Sequence, residues 1–151
     1  MKPSNRFVIA VSVFFLLAAC SKPAGGIRVD DAWVRASAVT PPMGEAVNIP
    51  MTAAYLQVTN DSHNTDTLLG AESPAARVVE IHQTSMQNDV ASMQQMPSVE
   101  IPGGGMLKFE PGGYHLMLID LSQPLAAGDV IEITLVFEDA GQITIKAVVK
   151  D

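Results

Sequence analysis

The stretch "DVIEITLVFEDAGQITIKAVVK", residues 129–150, decides the fold class. Ile131, Ile133, Leu135 and Phe137 alternate with Glu132, Thr134 and Glu138, the period of a strand with one buried face. "EDAG" then turns the chain into a second alternating run, so the segment is a hairpin packed on a core through one side. Working outward, further short runs rich in Val, Ile, Thr and aromatics are separated by Gly, Pro, Asn and Asp, and none keeps a helical period. Strands are expected at about 27–36, 52–60, 67–72, 77–84, 90–96, 106–109, 114–120, 129–138 and 142–150. Nine short strands in a chain of 151 residues predict an all-β, single-domain Greek-key β-sandwich. Pro41-Pro42 makes the segment 39–49 a loop, and Trp33 is read as a core anchor.

The N-terminus is read apart from the fold. "MKPSNRFVIAVSVFFLLAAC" carries Lys2 and Arg6, then an apolar run, then small residues, the pattern of a secretory signal too short to span a membrane. Leu17-Ala18-Ala19-Cys20 resembles the lipobox of bacterial lipoproteins. That implies a signal peptide over 1–19, lipidation of Cys20, a tether over 20–26 ("SKPAGG" after the cysteine) and a folded domain over 27–151. The expected location is the periplasm or extracytoplasmic face, with the membrane reached only through the lipid. Cys20 is the single cysteine, so an internal disulfide, a CxxC motif and a thiolate metal site in the domain are all excluded. The formal net charge is −7, and two of the nine cationic residues belong to the leader, so a nucleic-acid partner is excluded as well.

The chemistry-bearing residues gather in the second half. Of eight methionines, Met86, Met93, Met96, Met106 and Met117 fall within 86–117, and His82 and His115 bracket the same stretch. Thioether sulfur with neutral imidazole suits Cu(I). If Asn88-Asp89 is a two-residue hairpin turn, Gln87 faces Val90, Thr84 faces Met93 and His82 faces Gln95. His82, Thr84 and Met86 then share a face with Met93, while Met96 joins Val79 and Ile81 on the core side; a slip of one residue would exchange those roles. In "YHLMLID" (114–120), Leu116 and Leu118 point one way and His115 and Met117 the other. His63, in the polar loop "NDSHNTD", is surface, and Gly103–Gly105 and Gly112-Gly113 are turns rather than phosphate loops.

"DAWVRA", "AAYLQVTN", "SPAARVVEIH" and "EIPGGGMLKFEPGGYHLMLIDLSQPLAAGD" give essentially the whole mature chain a resemblance to the PCu(A)C family of periplasmic copper chaperones, which are cupredoxin-like β-sandwiches. That family's signature, His-x10-Met-x21-His-x-Met, falls on His82, Met93, His115 and Met117. The resemblance implies one Cu(I) per chain held by these four residues. It also implies delivery toward the copper centre of cytochrome c oxidase, the acceptor being a Sco-type protein or the oxidase's copper subunit. Met86 is either a rim residue or an auxiliary ligand used in transfer, and Met51 and Met96 stand outside the signature. "QNDVAS" replaces the family's usual Gly-rich turn. The chain ends at Asp151 without a His/Met-rich tail, so a single site is expected.

No enzymatic activity is expected, since no general acid or base is placed beside the four residues. A cupredoxin-type electron carrier would need a cysteine ligand that the domain lacks. The alternative is an envelope assembly module in which the Met-rich strip is an apolar contact patch.

Overall fold

A computed structural model of the protein describes residues 26–37, 49–87 and 90–151. The leader, Cys20, all of the tether but Gly26, the loop residues 38–48 and the Asn88-Asp89 turn lie outside the described residues. Within them are ten strands and no helix: β1 Ile27–Arg35, β2 Met51–Asn60, β3 Asp66–Glu72, β4 Ala76–Gln87, β5 Val90–Met96, β6 Val99–Ile101, β7 Met106–Phe109, β8 Tyr114–Leu121, β9 Val130–Phe137 and β10 Gln142–Lys150. All nine expected strands are present with small shifts at their ends. The tenth, β6, is three residues long between Pro97 and Pro102, too short for alternation to be read; it pairs with β3 through Asp66↔Ile101 and Leu68↔Val99.

The hydrogen-bonded order is β5-β4-β8-β7-β2-β1-β10-β9-β3-β6, with β2 shared between two neighbours. Its first half pairs with β8 (Met51↔Ile119 to Ala54↔Leu116) and its second half with β7 (Leu56↔Phe109 to Thr59↔Met106). Only β1–β10 and the short β7–β8 contact run parallel. The sheet folds over until β3 packs beside β4, which makes a Greek-key β-sandwich around one core. Ile131, Ile133, Leu135 and Phe137 from β9 are buried there with Leu116 and Leu118 from β8, Val34 from β1 and Ile81 from β4. Asp66, itself buried, clamps the β9–β10 turn: its carboxylate accepts the backbone N–H groups of Asp139 and Ala140, each at 3.0 Å.

Strand β1 carries the one feature that overturns a side-chain assignment. Asp30 pairs with Gln57 and Trp33 with Tyr55, so two residues of β1 oppose one of β2, and Asp31 adopts φ 53°. This is a β-bulge, and aspartate is among the few residue types that tolerate left-handed backbone. The extra residue switches the parity of the strand. Ile27 and Val29 pack on the core before the bulge, whereas Ala32, Val34 and Ala36 do so after it. Trp33 is thereby turned away from the core it was expected to anchor, and lies half-buried against Tyr55 with ring centroids 4.6 Å apart.

Candidate metal centre

Leu116 and Leu118 of β8 are fully buried, so the pleat directs His115 and Met117 to the opposite face. The neighbouring β4 pairs with β8 as His82↔His115 and Glu80↔Met117, placing all four on that face. On its other edge β4 pairs with β5 as Gln87↔Val90, Thr84↔Met93 and His82↔Gln95, the register expected from a two-residue turn. Ile81↔Met96 completes it, and Met96 packs against the core as expected.

Met93, His115 and Met117 line one open cleft of about 380 Å³ together with Thr84, Tyr55 and Met51. His82 stands at its side, its ring 5.7 Å from that of His115 with the planes at 65°. The structure thus brings the four sequence-predicted residues to one place. Their exposures differ: His115 is 4% exposed and Met93 54%. Met86, on the same face, is exposed further out on the β4–β5 arm, consistent with a rim position. His63 is exposed in the loop beyond β2, where its backbone packs against Gly103 so closely that a Cβ there would lie 2.3 Å from the His63 carbonyl carbon. Larger grooves of about 610 and 460 Å³ lie elsewhere and contain neither histidine nor methionine.

Polar groups around the imidazoles limit what the site can hold. His115 Nδ1 lies 3.3 Å from the Gly113 carbonyl oxygen, which also accepts the Thr84 N–H at 3.0 Å and so ties the Gly112-Gly113 turn to β4. Gly112 has φ 84°, a conformation that favours glycine. His82 Nε2 lies 2.8 Å from Glu80 Oε2, and His82 Nδ1 is buried without a partner. Burial holds the His115 pKa below the ordinary histidine value; the Gly113 carbonyl opposes this and the neighbouring His82 adds to it. The ring is therefore kept neutral, with Nε2 free to donate an electron pair. Among the described residues no three His, Cys, Asp or Glu side chains gather for a metal ion, and the further soft donors beside the two imidazoles are the thioethers of Met93 and Met117.

Two features of this face were missed in the sequence. Glu80, two residues before His82 on the same strand, was available from the period-2 rule. The aromatic row Trp33–Tyr55–His115–His82, with centroid spacings of 4.6, 6.5 and 5.7 Å, was not, because it needs four strands in register.

Residues 27–149 match the model of the family described as "Putative lipoprotein LpqE-like". The chain belongs to this family. Among its relatives is "Putative lipoprotein Lxx21020" of Leifsonia xyli subsp. xyli, 37% identical over 131 residues that make up 86% of this chain and 73% of that one. A Rickettsia prowazekii protein is 32% identical over 91 residues, 60% of this chain and half of its own length. Similar solved structures are PCuAC domains, as the sequence resemblance implies. The copper-bound PCuAC domain from PmoF2 aligns with a TM-score of 0.63 at 30% identity, covering 84% of this chain and 94% of that domain. The Cu(I) form of DR1885 from Deinococcus radiodurans aligns at 0.58 and 32% identity, covering 81% and 78%. The LpqE-like chain therefore has the cupredoxin-like sandwich that the sequence predicted.

Proposed function

We propose that this LpqE-like chain is an extracytoplasmic copper carrier that holds one Cu(I) between His82, Met93, His115 and Met117. The observation that carries the reading is the meeting of His82 and His115 across β4 and β8, beside the cleft that Met93 and Met117 line. Two neutral nitrogens and two thioethers form a soft, uncharged donor set that suits a monovalent soft ion. The likeness to a copper-bound PCuAC domain and to Cu(I)-DR1885 supports it.

Transfer is ligand exchange. An incoming thiolate or thioether reaches the ion from the exposed Met93 side, displaces that sulfur first, and leaves the buried His115 to let go last. No bond of a substrate is made or broken, so the role is carriage rather than catalysis. The acceptor is a copper-accepting protein such as a Sco-type protein or the copper subunit of cytochrome c oxidase, and Cys20 supplies the lipid anchor. Anaerobic titration against a chromogenic Cu(I) chelator should give one tightly held ion per chain, and no uptake would overturn the reading. Cys20→Ser should move the protein from the membrane fraction to the soluble fraction with uptake unchanged; a mutant that stays in the membrane pellet would overturn the anchor.

One observation favours a second reading. Met86, Val90 and Met93 are all exposed on the β4–β5 arm, an apolar strip suited to a protein partner. A contact patch of that kind requires no stoichiometric metal, so the same titration separates the two.

A further inference from the structure

We infer that Glu80 is a positioning residue that fixes His82 as an Nδ1 ligand, so that the two imidazoles grip the ion through different ring atoms, Nδ1 of His82 and Nε2 of His115. The inference rests on the carrier reading above and specifies its ligand atoms.

It starts from strand geometry. Glu80 and His82 are two apart on β4, hence on one face, and their side chains meet with Nε2 2.8 Å from Oε2. A carboxylate in this contact only accepts, so the proton is on Nε2 and the lone pair on Nδ1. That Nδ1 is enclosed and has no hydrogen-bond partner. Buried polar atoms are almost always satisfied, and an enclosed lone pair with nothing to accept marks an atom waiting for a ligand. His115 is set the other way round: its Nδ1–H donates to the Gly113 carbonyl, which leaves Nε2 as the donor atom.

The two supporting groups are chemically unequal. A backbone carbonyl orients His115 without adding charge. Glu80 orients His82 and brings a carboxylate whose side chain is 27% exposed to a histidine that is 15% exposed. A carboxylate on the far nitrogen raises the basicity of the ligating one and places a counter-charge beside a donor set that has none. Glu80 faces Met117 across the ladder and is already engaged with the imidazole, so it acts through His82.

The test is long-range proton–nitrogen correlation NMR on the mature chain with 15N-labelled histidine, at about pH 8, above the ordinary imidazole range. Without metal, His82 should carry its proton on Nε2 and His115 on Nδ1. One equivalent of Cu(I), added anaerobically, should shift Nδ1 of His82 and Nε2 of His115. Glu80→Gln, which keeps an accepting carbonyl but not the charge, should retain the Nε2–H form with a loss of affinity below about tenfold. Glu80→Ala should mix the tautomers and cost about 10- to 100-fold in Cu(I) affinity. A proton on Nδ1 of His82 in the metal-free protein, a Cu(I) shift at its Nε2, or an unchanged tautomer and affinity in Glu80→Ala would each overturn the inference. If the metal-free tautomers are as stated but Cu(I) shifts neither ring, it is the carrier reading that fails.

Discussion

His82 and His115 stand directly opposite each other across the β4–β8 ladder, their ring centroids 5.7 Å apart. The backbone positions of both are set by the hydrogen bonds of the sheet, and each ring is held again by a side contact of its own. The thioethers have no such support: methionine is unbranched and flexible, and Met93 is on the exposed edge strand. The site thus has a rigid nitrogen half and a yielding sulfur half, a division suited to holding an ion and also releasing it.

His115→Ala and Met117→Ala should each weaken Cu(I) binding by at least tenfold in a chelator competition, while His63→Ala leaves it unchanged. Equal losses in His63→Ala and His115→Ala would remove the assignment.

Met93 and Met86 should separate binding from transfer. Met93→Ala should lower affinity yet leave unfolding stability within about 0.5 kcal/mol, because an exposed strand-edge side chain contributes little to the core. Met86→Ala should leave affinity intact and slow the passage of Cu(I) to a thiol acceptor, followed by stopped flow. Unchanged transfer would make Met86 a rim residue and nothing more.

The response to pH follows from the depressed His115 pKa. The unfolded chain takes up a proton on this residue near pH 6.5, the folded chain only at lower pH. The stability this contributes is complete above about 6.5 and falls as pH drops toward the folded value, since there the unfolded state binds more protons. Urea midpoints over pH 5 to 8 should fall more steeply on the acid side for the wild type than for His115→Gln. With His115 as a ligand, Cu(I) affinity should be nearly flat from pH 8 down past 6.5 and decline only below the ordinary histidine value, where the folded chain takes up its proton, by up to about tenfold per pH unit. A flat affinity profile down to pH 4 would exclude both rings as ligands.

Leu118→Ala removes a fully buried side chain from β8, one residue from Met117 but on the other face. A loss of about 2–5 kcal/mol in urea unfolding is expected. Cu(I) uptake per folded molecule should remain at one. A variant that unfolds normally but loses the ion would mean that the two faces are coupled.

The hairpin register was legible because it is local: a two-residue turn dictates that Thr84 meets Met93, and the pairs follow outward from there. The alternation of β8 was legible for the same reason, and so were the strands, whose buried positions recur every second residue. The pairing of His82 with His115 was not, since it depends on β4 and β8 being neighbours in a sheet whose order crosses the sequence. Only the family spacing pointed to it. Trp33 was misplaced by the same alternation that succeeded elsewhere. Counting in twos from Ile27 and Val29 puts it inside, and a single extra residue at Asp31 reverses the count. The brevity of β6 left nothing to count.

That reversal at Asp31 gives the molecule an optical handle. Trp33 is the only tryptophan in the chain, and the bulge leaves its indole half-exposed, with the Lys150 ammonium 5.9 Å from the ring centre and Tyr55 on its face. Tyr55 in turn lies against His115. Tryptophan fluorescence therefore originates from one known position, two strands from His115. Adding Cu(I) should change that emission in the native protein, without a dye, so uptake is read from a residue that the bulge keeps on the same side of the sheet as Tyr55 and His115.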